Sequence, residues 1–158
     1  MSIERNHSFF KKSIILFWTI WWLIALWTDV VGGLAHLNIL DTSWAVDTNY
    51  PGLVQSLAMY HVPEWLPPCL FFGIILWSAL SSALYIWASI SLFKENTPIW
   101  KERAQWAFIV SLNYWFAFFL ADQMVMKFAL EENHMVQGGF QLLTYMAIYL
   151  LPDEATKV

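Results

Sequence analysis

The chain has 158 residues, of which 59% are hydrophobic, 18% aromatic and 13% charged, against roughly 25% charged in an ordinary soluble domain. With a mean hydropathy of +0.50 and eleven Trp, a residue suited to the membrane interface where its ring is apolar and its N–H wet, a soluble enzyme and a disordered chain are excluded. The net charge of −4 and the lack of a Lys/Arg-rich run exclude a nucleic-acid partner.

The N-terminal segment places Arg5, Lys11 and Lys12 ahead of an apolar stretch. This resembles a secretory signal in outline, but residues 13–28 are long for such a core, and the stretch reads as a first span that also serves as an uncleaved anchor. Crossing about 30 Å of hydrocarbon takes roughly 20 helical residues. Four runs meet that requirement, residues 13–37, 67–93, 104–130 and 134–151, the last near the lower limit. Continuous rather than alternating apolarity makes them helices, not barrel strands. The predicted fold is an all-α four-helix membrane bundle forming a single domain over residues 1–158.

Between the first two spans lies a long loop, residues 38–66. From Pro51 to His61 its apolar residues Leu53, Val54, Leu57, Tyr60 and His61 share a helical face, with Asn49 as an N-cap. This predicts a short amphipathic helix on the outer membrane surface, or a lid over the bundle that carries His61 and Glu64 toward its end. Pro63, Pro67 and Pro68 mark the start of the second span, where a missing N–H costs least. Cys69 within that apolar run reads as a small buried hydrophobe. Pro98 interrupts the polar link to the third span, and Pro152 follows the fourth.

Orientation follows from the bases. An even number of spans puts Arg5, Lys11, Lys12, Lys94, Lys101, Arg103 and Lys157 on one side with both termini, which the positive-inside rule makes cytoplasmic, as in a bacterial-type inner membrane. The outer side has Lys127 alone against Asp29, Asp41, Asp47, Glu64, Asp122, Glu131 and Glu132.

Helical spacing gives each span one face of small and polar residues. These are Trp18, Trp22, Ala25, Asp29, Gly32, Gly33 and His36 in the first span, and Ser78, Ser81, Ser82, Tyr85 and Ser89 in the second. Ser111, Tyr114, Trp115, Phe118, Ala121 and Asp122 follow in the third, then His134, Gln137, Gly138, Gln141 and Tyr145 in the fourth. Such faces are what helix packing in lipid requires. No ionisable residue occupies the inner half of the spans, so neither a channel nor a transmembrane proton relay is expected.

The outer ends carry the one candidate site. Ionisable groups within spans are costly and point to function; Asp29, His36, Asp122, Glu131, Glu132 and His134 converge on the outer level as candidate metal ligands. Glu131 and His134, at i and i+3, share a helix face, a spacing used in carboxylate-bridged di-metal bundles. Oxygen and imidazole donors suit Zn, Fe or Mn. A haem held by His36 and His134 is disfavoured, since Lys127 alone faces the propionates. A metal site requires His36, His134 and at least two of the acids within about 5 Å of one point.

Two functions fit. One is a noncatalytic subunit or accessory protein in contact with lipid and with other membrane subunits or further copies of itself. The other is a membrane metalloprotein or oxidoreductase component acting on a lipid-soluble substrate such as a quinone.

Overall fold

The computed structural model describes residues 3–41, 48–94 and 97–153. Asp47 and Lys157, assigned above to the outer and inner sides, lie outside the described residues, as do the side chains of Arg5, Lys94 and Pro98. Every regular element among the described residues is a helix: α1 (Ile3–His36), α2 (Asn49–Leu57), α3 (Leu66–Lys94), α4 (Thr97–Met124) and α5 (Phe128–Leu150). Three of these contain segments long and apolar enough to cross a membrane: Asn6–His36, Leu66–Phe93 and Ile99–Met124. α5 is not among them; Glu131, Glu132, Asn133, His134 and Gln137 make its first turns polar, although its 23 residues span about 35 Å.

The four long helices pack antiparallel to their neighbours. Thr19 on α1 meets Ser89 on α3 at 2.7 Å, and Ser82 Oγ donates to the Trp22 carbonyl at 2.9 Å, so the predicted serine stripe faces α1. Trp18 Nε1 donates to Thr144 on α5 at 2.8 Å. Trp115 Nε1 on α4 donates to Gln141 Oε1 at 2.8 Å, and the Gln141 amide passes a bond to the Tyr85 hydroxyl, joining α3, α4 and α5 through buried groups. Each bond replaces water that lipid and core exclude.

Around these bonds lies an aromatic core. Trp18, Trp22, Tyr85 and Phe108 are fully enclosed. Trp22 packs edge-on to Trp21 and Tyr114 with ring centres 5.1 Å apart in each pair. The outward faces are apolar too: Ile20, Ile24 and Trp27 on α1, Leu76 and Leu80 on α3, Phe116 and Leu120 on α4, and Val136, Leu143 and Leu150 on α5 are all exposed. Water would oppose so much contiguous apolar surface, whereas a bilayer accommodates it.

At one end the chain is tied shut. Lys11, only 1% exposed, donates to the Leu151 carbonyl at 2.6 Å and to Asp153 at 2.7 Å. Lys101 pairs with the other oxygen of Asp153. The Tyr149 hydroxyl donates to the Lys101 carbonyl at 2.8 Å.

At the opposite end two helices stop on left-handed residues. Asn38 (φ 57°) ends α1 and Met126 (φ 52°) ends α4. In each case the next residue's N–H reaches back five residues, Ile39 to Leu34 and Lys127 to Asp122, and the left-handed residue bonds the carbonyl three before it. This double closure satisfies carbonyls left free at a helix end. It also corrects two expected boundaries: the third long helix stops at Met124 rather than 130, and the fourth begins at Phe128 rather than 134. The short helix of the loop is present as α2, ending at Leu57. Cys69 is exposed rather than buried, because an apolar run in a lipid-facing helix turns many of its side chains outward.

A carboxylate and histidine cavity under α2

The end of the fold opposite Lys11 contains a partly open cavity of about 300 Å³ lined by residues of all five helices. α2 forms its cover through Asn49, Gly52, Leu53, Ser56 and Leu57. Asp29, Asp122 and His134 supply its charged and titratable lining. The remaining wall is apolar or aromatic, with Phe71, Tyr114 and Phe118 prominent.

Asp29 lies two turns before the end of α1, far enough from the helix end for α2 to fold over it. It is 7% exposed. Asn49 Nδ2 donates to Asp29 Oδ1 at 2.9 Å and Ser78 Oγ to Oδ2 at 3.1 Å. Each carboxylate oxygen therefore takes one hydrogen bond from a neighbouring helix. Asn49 does not act as the N-cap expected of it. It is the first residue of α2, which Thr48 precedes without a side-chain cap, and its amide is turned to Asp29 instead.

Asp122 and His134 face each other across the tight α4–α5 turn. His134 Nδ1 lies 2.5 Å from Asp122 Oδ2, and with Asp122 ionised the proton belongs on Nδ1. The imidazole is fixed further by Phe118, at 4.6 Å between ring centres, and by Trp115 at 5.9 Å. Asp122 is 4% exposed.

The sequence placed Glu131 and His134 on one face, and they take successive residues of α4. One Gln123 amide nitrogen donates to both Glu131 oxygens at 2.8 Å. This draws Glu131 to the surface and out of the cavity lining. Glu132 is exposed. His36 packs against Tyr50 with the rings tilted and their centres 4.2 Å apart, and it lines a separate apolar groove between α1 and α3, beside Gly33, Phe71 and Ile75. His61 and Glu64 are exposed, and neither lines the cavity.

Of the six candidate ligands, Asp29, Asp122 and His134 share one cavity, while His36, Glu131 and Glu132 stand outside its lining. Among the described residues no group of three or more His, Cys, Asp and Glu side chains is arranged to hold a metal ion. Ser78 was legible from the stripe of α3. Asn49 was not identified as a partner of Asp29, because nothing in the loop's pattern registers it against a helix 20 residues earlier.

A second opening adjoins the first. A cleft of about 350 Å³ between α1 and α5 is lined by Trp21, Ala25 and Thr28 on one side and His134 and Gln137 on the other. Asp29, Asn49, Tyr114 and His134 line both spaces. Compared with known protein families, with curated proteins and with solved structures, the chain matches none of them.

Proposed function

We propose that this chain is a four-span membrane protein acting as a noncatalytic subunit or accessory protein of a larger membrane complex. In this reading α5 is the fourth span, and the end carrying Lys11, Lys101 and Asp153 faces the cytoplasm of a bacterial-type inner membrane. The observation that carries the reading is the division of its side chains. Most polar groups between helices bond to one another, as in Trp115–Gln141–Tyr85, with Trp22 Nε1 and Ser81 Oγ buried without a partner among the described residues. Outward faces on all four long helices are apolar and aromatic. Such a surface offers contact area to lipid and to neighbouring transmembrane helices, and the loops leave little room for a substrate domain.

The test is isolation from native membranes in a mild detergent with a mass measurement of the intact particle. The proposal expects a defined assembly containing other subunits or further copies. A single chain in its detergent belt, at every mildness of extraction, would count against it.

A second reading, a metalloprotein working on a lipid-soluble substrate such as a quinone, draws on the Asp122–His134 contact. A carboxylate on one imidazole nitrogen orients the other for a metal. Metal analysis of purified protein tests it. Zn, Fe or Mn present at one equivalent and lost in His134→Ala supports this reading, and a substoichiometric content unchanged by the substitution ends it.

A further inference from the structure

We infer that the cavity under α2 and the cleft beside it form a binding site for a small lipophilic organic cation, an amine carrying an apolar or aromatic body. This goes beyond both readings above and depends on neither.

The lining is unbalanced in charge. Asp29 and Asp122 are both more than nine-tenths buried, and among the described residues neither Lys nor Arg lines either space. His134, even when protonated, offsets only one of the two carboxylates. The protein leaves acceptor capacity unused there. Asp122 Oδ2 meets His134, and Oδ1, which takes no hydrogen bond from a described residue, is not sealed in the protein but belongs to a carboxylate on the cavity wall. Buried carboxylates call for a donor or a positive charge, and an ammonium group between Asp29 and Asp122 meets that need.

The remainder of the space suits the body of such a molecule. Leu53, Leu70, Phe71, Ile74 and Phe118 form an apolar chamber beneath α2. Tyr114, on the wall shared by both spaces, presents an aromatic ring to a cation. About 300 Å³ lies at the lower end of the range for small-molecule sites and admits a ligand of roughly ten heavy atoms.

Access is lateral. α1 and α5 touch through Trp18–Thr144 and Phe17–Phe140 nearer the Lys11 end. Beyond that contact they part into the cleft, where Thr28 and Gln137 give it a polar lip. A lipophilic amine dissolved in the bilayer interface reaches Asp29 by this route. A phosphate-bearing headgroup finds no cationic side chain on the way, and a carboxylate meets repulsion.

The experiment uses the full chain in zwitterionic nanodiscs, titrated with phenethylamine, 2-phenylethanol or phenylacetate. Binding is followed by calorimetry and by the fluorescence of Trp21 and Trp115, which line the cleft. The inference expects saturable binding of the amine, at least tenfold tighter than the alcohol, with no binding of the acid. Asp29→Asn and Asp122→Asn should each weaken the amine at least tenfold while leaving the alcohol unchanged. Gly52→Leu supplies a variant chosen to spare the fold: Gly52 lines the cavity, and a Cβ added there meets nothing within 4 Å. It should reduce amine affinity with the helical spectrum and melting temperature preserved. Equal affinity for amine and alcohol, or full amine affinity in a folded Asp29→Asn or Gly52→Leu protein, overturns the inference. Amine binding in a chain purified without partners leaves the subunit proposal to its own test, so the two fail separately.

Discussion

His134 Nδ1 and Asp122 Oδ2 approach to 2.5 Å across the turn that joins α4 to α5. The contact closes a hairpin whose two helices also meet through the Trp115–Gln141, Gln123–Glu131 and Tyr149–Lys101 hydrogen bonds, aromatic rings and Gly138. Removing one partner of a buried hydrogen bond leaves the other group unsatisfied, at a cost of about 1–3 kcal/mol and more for a charged group, while removing both costs much less. We therefore expect Asp122→Ala and His134→Ala each to be strongly destabilising, and the double variant to lose clearly less than the sum. Unfolding in mixed detergent micelles measures all four corners of the cycle. Additive losses would show the two side chains to be independent.

Gly138 and Gly139 form a matched pair. A Cβ on Gly138 would lie 2.8 Å from the Phe119 ring and 2.9 Å from Trp115 Cβ, whereas one on Gly139 meets nothing within 4 Å. The Trp115 contact is with the atom nearest the backbone, which moves only if α4 moves. Gly138→Ala is expected to destabilise the α4–α5 packing by about 1–3 kcal/mol through overpacking. Gly139→Ala should be neutral or stabilising, since Ala favours helix over Gly by roughly 1 kcal/mol. Parallel unfolding curves of the two variants check the contrast.

The clamp at the opposite end titrates. Partial burial pushes the Asp153 carboxyl up, but hydrogen bonds and charge from Lys101 and Lys11 outweigh it and hold the group below the ordinary carboxylate range. A group depressed on folding contributes stability that is present above its unfolded value and disappears as pH falls through its folded value. The wild type should accordingly lose stability from about pH 4 downward. Asp153→Asn should show a flatter profile there and start from a lower plateau at neutral pH. Superimposable pH profiles for the two proteins would contradict this role for Asp153.

The long helices were legible because continuous apolarity needs no tertiary context. The stripe Ser78, Ser82, Ser89 was legible because a period of 3.6 residues places it on one face, and that face does meet α1. Helix ends were read less well. The segment from Val125 to Leu130 is apolar enough to extend a span, and the residue that stops α4 is Met126, with no Gly or Pro to announce it. α1 begins at Ile3, ten residues before the predicted span, because polar residues continue a helix that hydropathy does not count. Half of the candidate site came together for a topological reason, since Asp29 and Asp122 sit at similar depth on helices that face a common space. The other half did not. Glu131 found Gln123 and His36 found Tyr50, local pairings that depend on side-chain direction rather than depth.

The most direct test of the four-span arrangement is the side on which the chain's C-terminal segment emerges. In a Cys69→Ser background, single cysteines are introduced at Glu132→Cys, near the α4–α5 turn, and at Lys157→Cys, and intact cells are treated with a membrane-impermeant maleimide. The account predicts that position 132 is labelled from outside, and that position 157 is labelled only after the membrane is permeabilised. Labelling of position 157 in intact cells would place α5 outside the bilayer as a surface helix and contradict the four-span reading.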